Sequence, residues 1–462
     1  MDYVDKIFTP QLKKLHSGKV RESFRVDENT RMIVVSDRIS SFDYVLNNLI
    51  PHKGAVLNGI AAYWFGKTRH IIENHFIRMI DPNISLVKEA KPLRIEMIVR
   101  GYLTGSLGRD YEKGKRIVSG VTLPDNLEKN QQFSNPLLTP TTKEEHDREI
   151  SPAQIVKEGW ASSKIYHQME EASLALFAEG TRTLAAQGII LVDTKYEFGL
   201  INGKLVLIDE IHTPDSSRFW DLKAYQENPA NVDAIDKEYV RQWLLRHKDG
   251  DRMPDHLPSE VIEEVSRRYL QIYEKITGEK LIMVNGSVKE RIYRNLVDEN
   301  IIRDGSIIVI MGSQADREHC LKILSGLKNY GVYSGLRVVS AHKNGERIPE
   351  IASEYNQALE PVVVVAVAGR SNGLGGALAA NLAVPVINCP PFQDKLDFLL
   401  NINSSLLMPS HTPALTLVDT GLAAMAALRC LNLPRLKEIF CTEIGLQKAK
   451  LASADDEINQ GV

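Results

Sequence analysis

The sequence of 462 residues has few cysteines, no long apolar run and no excess of one charge sign. Its four cysteines fall in the C-terminal third without the spacing of a metal site, which favours free thiols in a reducing compartment. No apolar run reaches the length of a membrane-spanning helix, and the first residues lack the apolar core of a signal peptide. With 56 Lys and Arg against 59 Asp and Glu, nothing indicates nucleic-acid binding. We therefore expect a cytoplasmic protein that binds neither membrane nor nucleic acid.

The length predicts two or three domains, each with its own core. The polar stretch from Val297 to Gly305 is the expected boundary, because a change in sequence character follows it. We predict domains over residues 1–297 and 305–440, with a tail over 441–462. Amphipathic helices are expected over residues 165–187, 233–248 and 259–275, with packing roles.

The most informative stretch begins after Gly188. Ile189 to Val192 is an apolar run that predicts a buried strand. From Asp193 onward charged and apolar residues alternate, which gives the strand one charged and one apolar face. Asn202-Gly203 predicts a tight hairpin turn, with a return strand from Lys204 to Ile211.

Away from its turn, the predicted hairpin carries charged side chains at Asp193, Lys195, Glu197, Asp209 and Glu210. Charges beside a core sheet are costly unless they are paired. Carboxylates that hold magnesium, with a lysine for phosphate, would explain them, and the alternative is a solvated sheet face. A plain two-residue turn places Asp209 opposite Tyr196, whereas a bulge on the return strand places Asp209 opposite Glu197. Because only the bulge brings both carboxylates to one metal, we expect the bulged register.

Other stretches also suit anionic ligands. Gly18-Lys19 lets the backbone approach a phosphate beside a cation, although an exposed hairpin explains the same residues. The loop from Ser36 to Asp43 is densely polar. Arg100 ends an apolar strand before a turn rich in glycine and serine, a position that suits a phosphate or carboxylate. The long polar loop over residues 119–152, with Lys143, Glu144 and His146, is expected to close over substrate.

From Ser306 onward, apolar strands alternate with helices, which predicts a parallel, doubly wound sheet in a three-layer α/β domain. Three polar loops follow successive strands, at Gly312–Asp316, Ser340–Lys343 and Gly369–Gly373. Ligands of such sheets bind where the carboxyl ends of the strands meet helix N-termini. We expect these loops to converge on one ligand site.

Leu191–Gly199 and Asp215–Trp220 resemble the signatures of the SAICAR synthetase (phosphoribosylaminoimidazole-succinocarboxamide synthase) family, and the resemblance extends over most of the chain before the boundary. It implies an α+β fold similar to ATP-grasp and kinase-like architectures. It also implies the ATP- and Mg²⁺-dependent ligation of carboxyaminoimidazole ribotide (CAIR) with L-aspartate. By this resemblance, ATP is bound by Gly18, Lys19, Arg21 and Glu96, and Mg²⁺ by Glu197 and Asp209. Catalysis is assigned to Asp193 and Lys195, and substrate binding to Arg38, Ser40, Asp43, Arg100, Ser106, Asp215 and Arg218.

Ser340-Ala-His-Lys343 and Ala368–Gly376 resemble AIR carboxylases of the animal-like type, which carboxylate aminoimidazole ribotide (AIR) with CO₂ directly and without biotin. The resemblance assigns catalysis to His342 and Lys343, and histidine suits proton transfer near neutral pH. Substrate binding falls to Ser313, Asp316, Ser340, Arg370, Ser371, Asn372 and Gly373. His411 stands where this family usually has glycine.

Together the two resemblances imply a bifunctional enzyme of purine biosynthesis, in which one domain makes the substrate of the other. They also imply a homo-oligomer, an octamer formed through the C-terminal domain. The alternative is a SAICAR synthetase whose C-terminal domain is a non-catalytic module for ribotide binding or assembly, because fold alone does not fix function.

Overall fold

The computed structural model describes residues 3–41, 44–144, 147–232, 238–248, 252–282, 286–369 and 372–460. The chain divides into two compact units. The first comprises Met1–Lys6 and Lys14–Val288, and the second comprises Ile7–Lys13 and Lys289–Val462. The boundary expected between residues 297 and 305 stays a prediction about the domains. No helix within the described ranges is both long enough and apolar enough to cross a lipid bilayer.

The strands up to Asp221 are β1 Lys13–Ser17, β2 Arg21–Arg25, β3 Thr30–Val35, β4 Arg38–Ser41, β5 Tyr44–Leu49, β6 Phe76–Asp81, β7 Ile84–Lys88, β8 Lys91–Tyr102, β9 Ile117–Val118, β10 Val121–Thr122, β11 Gln132–Leu138, β12 Thr141–Thr142, β13 Ile189–Ile201, β14 Lys204–Ile208 and β15 Ser217–Asp221. The helices up to Asp298 are α1 Lys53–Lys67, α2 Gly105–Glu112, α3 Pro152–Lys157, α4 Ser163–Ala185, α5 Leu222–Glu227, α6 Glu238–Arg246, α7 Ser259–Thr277 and α8 Val288–Asp298.

Two sheets organise the first unit. One has the strand order β1-β2-β3-β7-β6, and the other has β11-β8-β13-β14, with β12 paired to β8 and β15 paired to β13. The apolar faces of α1, α4 and α7 pack with the second sheet in one core, which contains Trp64, Leu176, Phe198 and Tyr269. The helices predicted over 165–187, 233–248 and 259–275 are α4, α6 and α7. This arrangement is an α+β fold, as predicted.

The predicted hairpin forms, but the bulged register is wrong. Glu197 lies opposite Ile208, and Ile201 lies opposite Lys204, as a plain two-residue turn requires. Asn202 and Gly203 have φ of 51° and 78°, and a turn with positive φ at both positions matches the twist of the strands without an extra residue. The return strand ends at Ile208 rather than Ile211. Asp209 therefore lies beyond the strand, with φ of 66°.

The elements after Asp298 are the strands β16 Ser306–Met311, β17 Tyr333–Val338, β18 Val362–Val367, β19 Val386–Asn388 and β20 Leu415–Thr416, and the helices α9 Arg317–Ser325, α10 Ile348–Asn356, α11 Gly373–Asn381, α12 Lys395–Leu406, α13 Thr420–Cys430 and α14 Pro434–Gln460. They form a parallel sheet with the order β17-β16-β18-β19-β20. Ile307 and Val309 face one layer with α9 and α13, and Ile308 and Ile310 face the opposite layer with α10 and α11. The predicted three-layer, doubly wound domain is confirmed.

A short N-terminal segment completes the second unit. Phe8 forms a parallel bridge with Ala358, and the Leu359 amide donates to the Phe8 carbonyl at 3.0 Å. Thr9 Oγ1 and Gln11 Nε2 donate to Glu360 Oε1 at 2.9 and 2.8 Å. No local sequence pattern indicates this pairing, because these residues lie far from their partners along the chain.

Candidate active sites

The central strands of the first unit bring charged residues together on one sheet face. Asp193 pairs with Arg100 on β8 and with Arg218 on β15, and Glu197 pairs with Glu96 on β8. Asp193 and Glu197 are only 7% and 5% exposed, so the alternative of a solvated face is wrong. Buried charges of this kind require partners close by.

Lys195 lies between two of these carboxylates. Its Nζ donates to Glu96 Oε1 at 2.8 Å and also contacts Glu197, whose second oxygen contacts Lys143. Burial alone would lower the pKa of Lys195, but Glu197 and Glu96 outweigh burial and raise it. Lys195 is therefore a permanent cation on the sheet face, beside the loop that was expected to close over substrate.

Arg21 holds the carboxylates that follow the hairpin. Its Nη1 lies 2.7 Å from Asp209 Oδ1, and its guanidinium also contacts Glu210. Burial would raise the pKa of Asp209, but Arg21, followed by Lys195 and Lys143, lowers it. Asp209 thus stays ionised among the same cations that surround Glu197, although it reaches them through its left-handed backbone rather than through a bulge.

The donors at this position fit magnesium chemically. Among the residues that the structure describes, no group of three or more His, Cys, Asp or Glu side chains is arranged to hold a metal. Magnesium, however, usually binds through one or two carboxylates together with substrate phosphates. Glu197 and Asp209 meet that smaller requirement, and Arg21 and the two lysines provide charge suited to the phosphates.

The Gly18-Lys19 turn joins β1 to β2, and the Gly18 amide donates to the Arg21 carbonyl at 2.7 Å. Lys19 is exposed beside this turn. Arg38 and Ser40 lie buried in β4, where Arg38 Nε donates to Ser36 Oγ at 2.9 Å. Asp43 and His146 lie outside the described residues.

Arg218 is held by the carboxylate of Asp193. Its Nη1 donates to Asp193 Oδ2 at 2.5 Å, and Arg100 Nη1 lies 3.7 Å from the same oxygen. Arg100 Nε donates to Thr139 Oγ1 at 2.9 Å. The predicted residues Asp193, Arg100 and Arg218 therefore form one cluster.

A cavity of about 1040 Å³ opens beside this cluster. Predicted residues Ser106 and Arg218 line it, and further cations that line it are Arg109, Lys129, Arg241, Arg246 and Arg268. Arg268 is fixed, because its Nε lies 2.7 Å from Glu264 Oε1 and its guanidinium stacks over Tyr239 at 4.2 Å. A cavity so rich in cations suits a ligand with several negative charges.

Asp215 has a buried cation as its partner. Lys53 Nζ donates to Asp215 Oδ2 at 2.7 Å, and the Tyr269 hydroxyl donates to Asp215 Oδ1 at 2.9 Å. Lys53 is fully buried. It was not among the predicted site residues, because the sequence gives no reason to single out a lysine at the start of an apolar helix.

In the second unit the loops after β16, β17 and β18 come close to one another, and a Cβ atom on Gly312 would lie 3.4 Å from Ala368 Cβ. A Cβ atom on Gly373 would lie 3.0 Å from His342 Cε1 and 3.2 Å from Nε2, so the imidazole packs against the start of α11. Ser313 Oγ accepts from the Ala315 amide at 3.3 Å. The Ser340 amide donates to Asn344 Oδ1 at 2.8 Å.

Asn372 is another loop residue that its neighbours hold in place. Asn372 caps α11 by accepting from the Gly375 amide at 3.1 Å, and its Nδ2 donates to Ser405 Oγ at 3.1 Å. Burial raises the pKa of Asp316. Lys343 is exposed next to His342. Arg370 and Ser371 lie outside the described residues.

His411 has φ of 62°, in the left-handed region that glycine adopts without strain. The glycine that the resemblance leads one to expect at this position would adopt this conformation, and histidine adopts it here.

Comparison with known proteins identifies both units. The family model described as SAICAR synthetase matches residues 14–255, more than half of the chain. The chain belongs to the SAICAR synthetase family. The family model described as AIR carboxylase matches residues 306–440, so an AIR carboxylase domain is fused behind the SAICAR synthetase.

Individual relatives agree with this assignment. The phosphoribosylaminoimidazole-succinocarboxamide synthase of Flavobacterium psychrophilum is 41% identical over 301 residues, which cover 63% of this chain and 95% of the relative. That of Legionella pneumophila (strain Paris) is 43% identical over 299 residues, with coverage of 61% and 94%. The structure of the Saccharomyces cerevisiae SAICAR synthase, in complex with SAICAR, is similar with a TM-score of 0.55 and 31% identity. The match covers 61% of this chain and all of that one.

Much of the lining of the large cavity was not predicted from the sequence. Arg241 lies on α6 and Arg268 on α7, helices that were expected only to pack. Their amphipathic pattern marks the core-facing residues but does not show which polar residues border a cavity. The available signal was the arginines themselves, Arg241 and Arg246 on α6 and Arg267 and Arg268 on α7.

Proposed function

We propose that the chain is bifunctional in cytoplasmic purine biosynthesis. Its AIR carboxylase domain converts AIR and CO₂ into CAIR, and its SAICAR synthetase domain joins CAIR to L-aspartate with ATP, giving SAICAR, ADP and phosphate. The observation that carries the proposal is the cationic cavity beside Asp193, Arg100 and Arg218 in a chain of the SAICAR synthetase family. We assign the two activities to residues 1–297 and 305–440, with residues 441–462 as a tail.

In the ligase reaction, ATP activates the CAIR carboxylate as an acyl phosphate, which the amine of aspartate then attacks. The ATP phosphates lie at Gly18, Lys19 and Arg21, with Glu96 holding Lys195 beside them. Glu197 and Asp209 would hold Mg²⁺, which offsets phosphate charge when bound.

The other charged residues orient the substrates. Lys195 offsets charge on the transferred phosphate, because it remains protonated on the buried face. Asp193 fixes Arg218 and Arg100 so that these guanidinium groups and Ser106 bind the ribotide. Arg38, Ser40, Asp43 and Asp215 complete this substrate-binding set. Since the acyl phosphate is formed on the substrate, no protein nucleophile is needed.

In the carboxylase reaction, C4 of the aminoimidazole is electron-rich and attacks CO₂ directly, without biotin. A C–C bond forms, and the proton at C4 passes to His342. The position of the imidazole against Gly373, among the loops after the parallel strands, supports this role. We assign CO₂ and carboxylate binding to Lys343 and the turn Ser371-Asn372-Gly373. Phosphate and ribose binding falls to Ser313 and Asp316, with Ser340 and Arg370 as further contacts.

A homo-oligomer, an octamer through the second unit, is part of the proposal. Leucines on and after α12 are strongly exposed in the single chain, at 68% for Leu396, 57% for Leu400 and 81% for Leu407. Several large apolar side chains exposed on and directly after one helix are typical of an interface. Sedimentation of the full chain tests the assembly, and a monomer would contradict it.

A coupled assay tests the bifunctional proposal. The full chain is given AIR, bicarbonate, ATP, Mg²⁺ and aspartate, and each is then omitted in turn. When AIR is the starting material, we expect SAICAR only in the complete mixture. When CAIR is supplied, we expect SAICAR without AIR and without bicarbonate. If CAIR is ligated but AIR is never carboxylated, the alternative of a non-catalytic C-terminal module is correct. The histidine at position 411, where glycine is expected from the AIR carboxylase resemblance, is then the first explanation.

A further inference from the structure

Lys53 is a fully buried cation that the proposed reaction does not yet use. It is the first residue of α1, with 0% exposure, and its Nζ donates to Asp215 Oδ2 at 2.7 Å. Tyr269 donates to the other oxygen of Asp215 and also places its ring 5.6 Å from the lysine nitrogen. Both oxygens of one carboxylate are thus engaged inside the core. A buried ion pair of this kind is weak evidence for stability, because apolar residues often stabilise as well.

The backbone on both sides of Lys53 is tightly constrained, which restricts the direction of its side chain. His52 has φ of 64°, and the Gly54 amide donates to Asp37 Oδ1 at 2.8 Å. A Cβ atom on Gly54 would lie 2.2 Å from the Val35 carbonyl oxygen. A left-handed residue therefore precedes the lysine, and a tightly packed glycine follows it. A non-glycine residue in the left-handed region, such as His52, is typical of functional positions.

The residues after Asp215 lead directly to the ligase cavity. Ser217 and Thr194 share a hydrogen bond of 2.7 Å between their hydroxyl groups, which fixes the start of β15 to β13. The next residue, Arg218, contacts Asp193 and lines the cavity. The hydrogen bonds of Lys53 and Tyr269 to Asp215 attach this segment to the core.

We propose that Lys53 is a positioning residue of the ligase reaction, which acts through Asp215 to set Arg218 against the ribotide. The inference rests on the proposed ligase function. Lys53 itself does not touch a substrate. Its removal releases the Asp215 segment, and a small misplacement of a binding group costs up to about a hundredfold in rate.

A double-mutant cycle tests this role on the full chain, with CAIR, ATP and aspartate as substrates. The variants Lys53→Met and Asp215→Asn and the double variant are each characterised by kcat, by KM for CAIR and by KM for ATP. We expect Lys53→Met to reduce kcat/KM for CAIR at least about tenfold and to change KM for ATP little. We expect the double variant to be no worse than Asp215→Asn alone, because the lysine acts through that carboxylate.

The controls separate the inference from the proposed function. If the wild-type chain does not ligate CAIR, the proposed function itself fails. If the wild-type chain is active but the two losses multiply, or if Lys53→Met lowers only the thermal midpoint, Lys53 is structural and the inference is wrong. If Lys53→Met does not fold, the milder Tyr269→Phe takes its place in the cycle with the same two readings.

Discussion

Gly105 and Arg218 fit together so closely that a Cβ atom on residue 105 would lie 2.1 Å from Arg218 Nη1. Gly105 also has φ of 65°, which disfavours any L side chain. The glycine therefore leaves room for the guanidinium that contacts Asp193 and lines the cavity. The turn before α2 and the strand β15 are matched to one another at this contact.

The first prediction follows from that contact. Gly105→Ala forces Arg218 away from Asp193, so we expect KM for CAIR to rise at least about tenfold, since the loss of a charge-assisted hydrogen bond costs more than that of a neutral one. KM for ATP should change little. Initial-rate kinetics of ligation measure both constants. Gly66→Ala is the matched control, because a Cβ atom there meets nothing within 4 Å. Equal changes in both constants would contradict the placement of the ribotide in this cavity.

The second prediction concerns the carboxylates near Lys195. Glu197→Gln and Asp209→Asn should each abolish ATP-dependent ligation and leave AIR carboxylation intact, because Mg²⁺ binds to ionised oxygen ligands. Both rates are measured on the same preparation. Glu73→Gln, which removes an exposed ion pair with Lys204 in the same unit, is the control and should cost nothing measurable. Loss of carboxylation in either site variant would show that the residue has a structural role.

The third prediction separates the two activities. His342→Asn removes the imidazole that would accept the proton, and a positioned acid or base contributes about a hundredfold or more. The variant should form no SAICAR from AIR, yet it should use supplied CAIR at the wild-type rate. Normal carboxylation by the variant would make His342 a packing residue against Gly373 and leave Lys343 as the next proton carrier.

Sequence patterns predicted the strands of the sheets well, but they predicted contacts between residues far apart in the chain poorly. Alternation identified β13, and apolar strands identified the parallel sheet, because both signals are local. The prediction of a bulge at the hairpin was wrong, because it assumed that Asp209 must lie in the strand to come near Glu197. Asp209 instead lies beyond the strand with a left-handed backbone, which brings it among the same cations. Lys53, Arg241 and Arg268 were missed, because only tertiary packing decides which polar residues border a cavity.

The fourth prediction concerns stability at acid pH. Burial lowers the pKa of His75 to about 4 and that of His212 to about 3. Both values lie below the usual value of about 6.5 in the unfolded chain, so the unfolded state binds more protons as the pH falls. The stabilisation that comes from keeping both histidines neutral is complete above about pH 6.5. Below that pH the free energy of unfolding falls by about 1.4 kcal/mol per pH unit for each histidine.

Denaturant unfolding between pH 6.5 and pH 4.5, followed by tryptophan fluorescence, measures that slope. His212→Asn should reduce the slope, although it also loses the contact with Tyr196, and His167→Asn on the exposed face of α4 should leave the slope unchanged. An unchanged slope in His212→Asn would mean that this histidine is not buried in its neutral form.

The last prediction concerns the N-terminal segment of the second unit. Glu360 is 3% exposed, and its Oε1 accepts from Thr9, Gln11 and Ser306. Gln11 also exchanges hydrogen bonds with the backbone of Arg303, at 2.9 and 2.7 Å. Thr9→Val together with Gln11→Leu leaves a buried carboxylate with fewer donors, which costs about 1–3 kcal/mol for each lost partner of a buried polar group. Amide exchange along β18 measures this loss in the second unit, and Thr9→Ser, which keeps the hydroxyl group, should restore most of the protection that Thr9→Val removes. Unchanged exchange in the double variant would show that the segment is a surface attachment, and the second unit would then be complete without it.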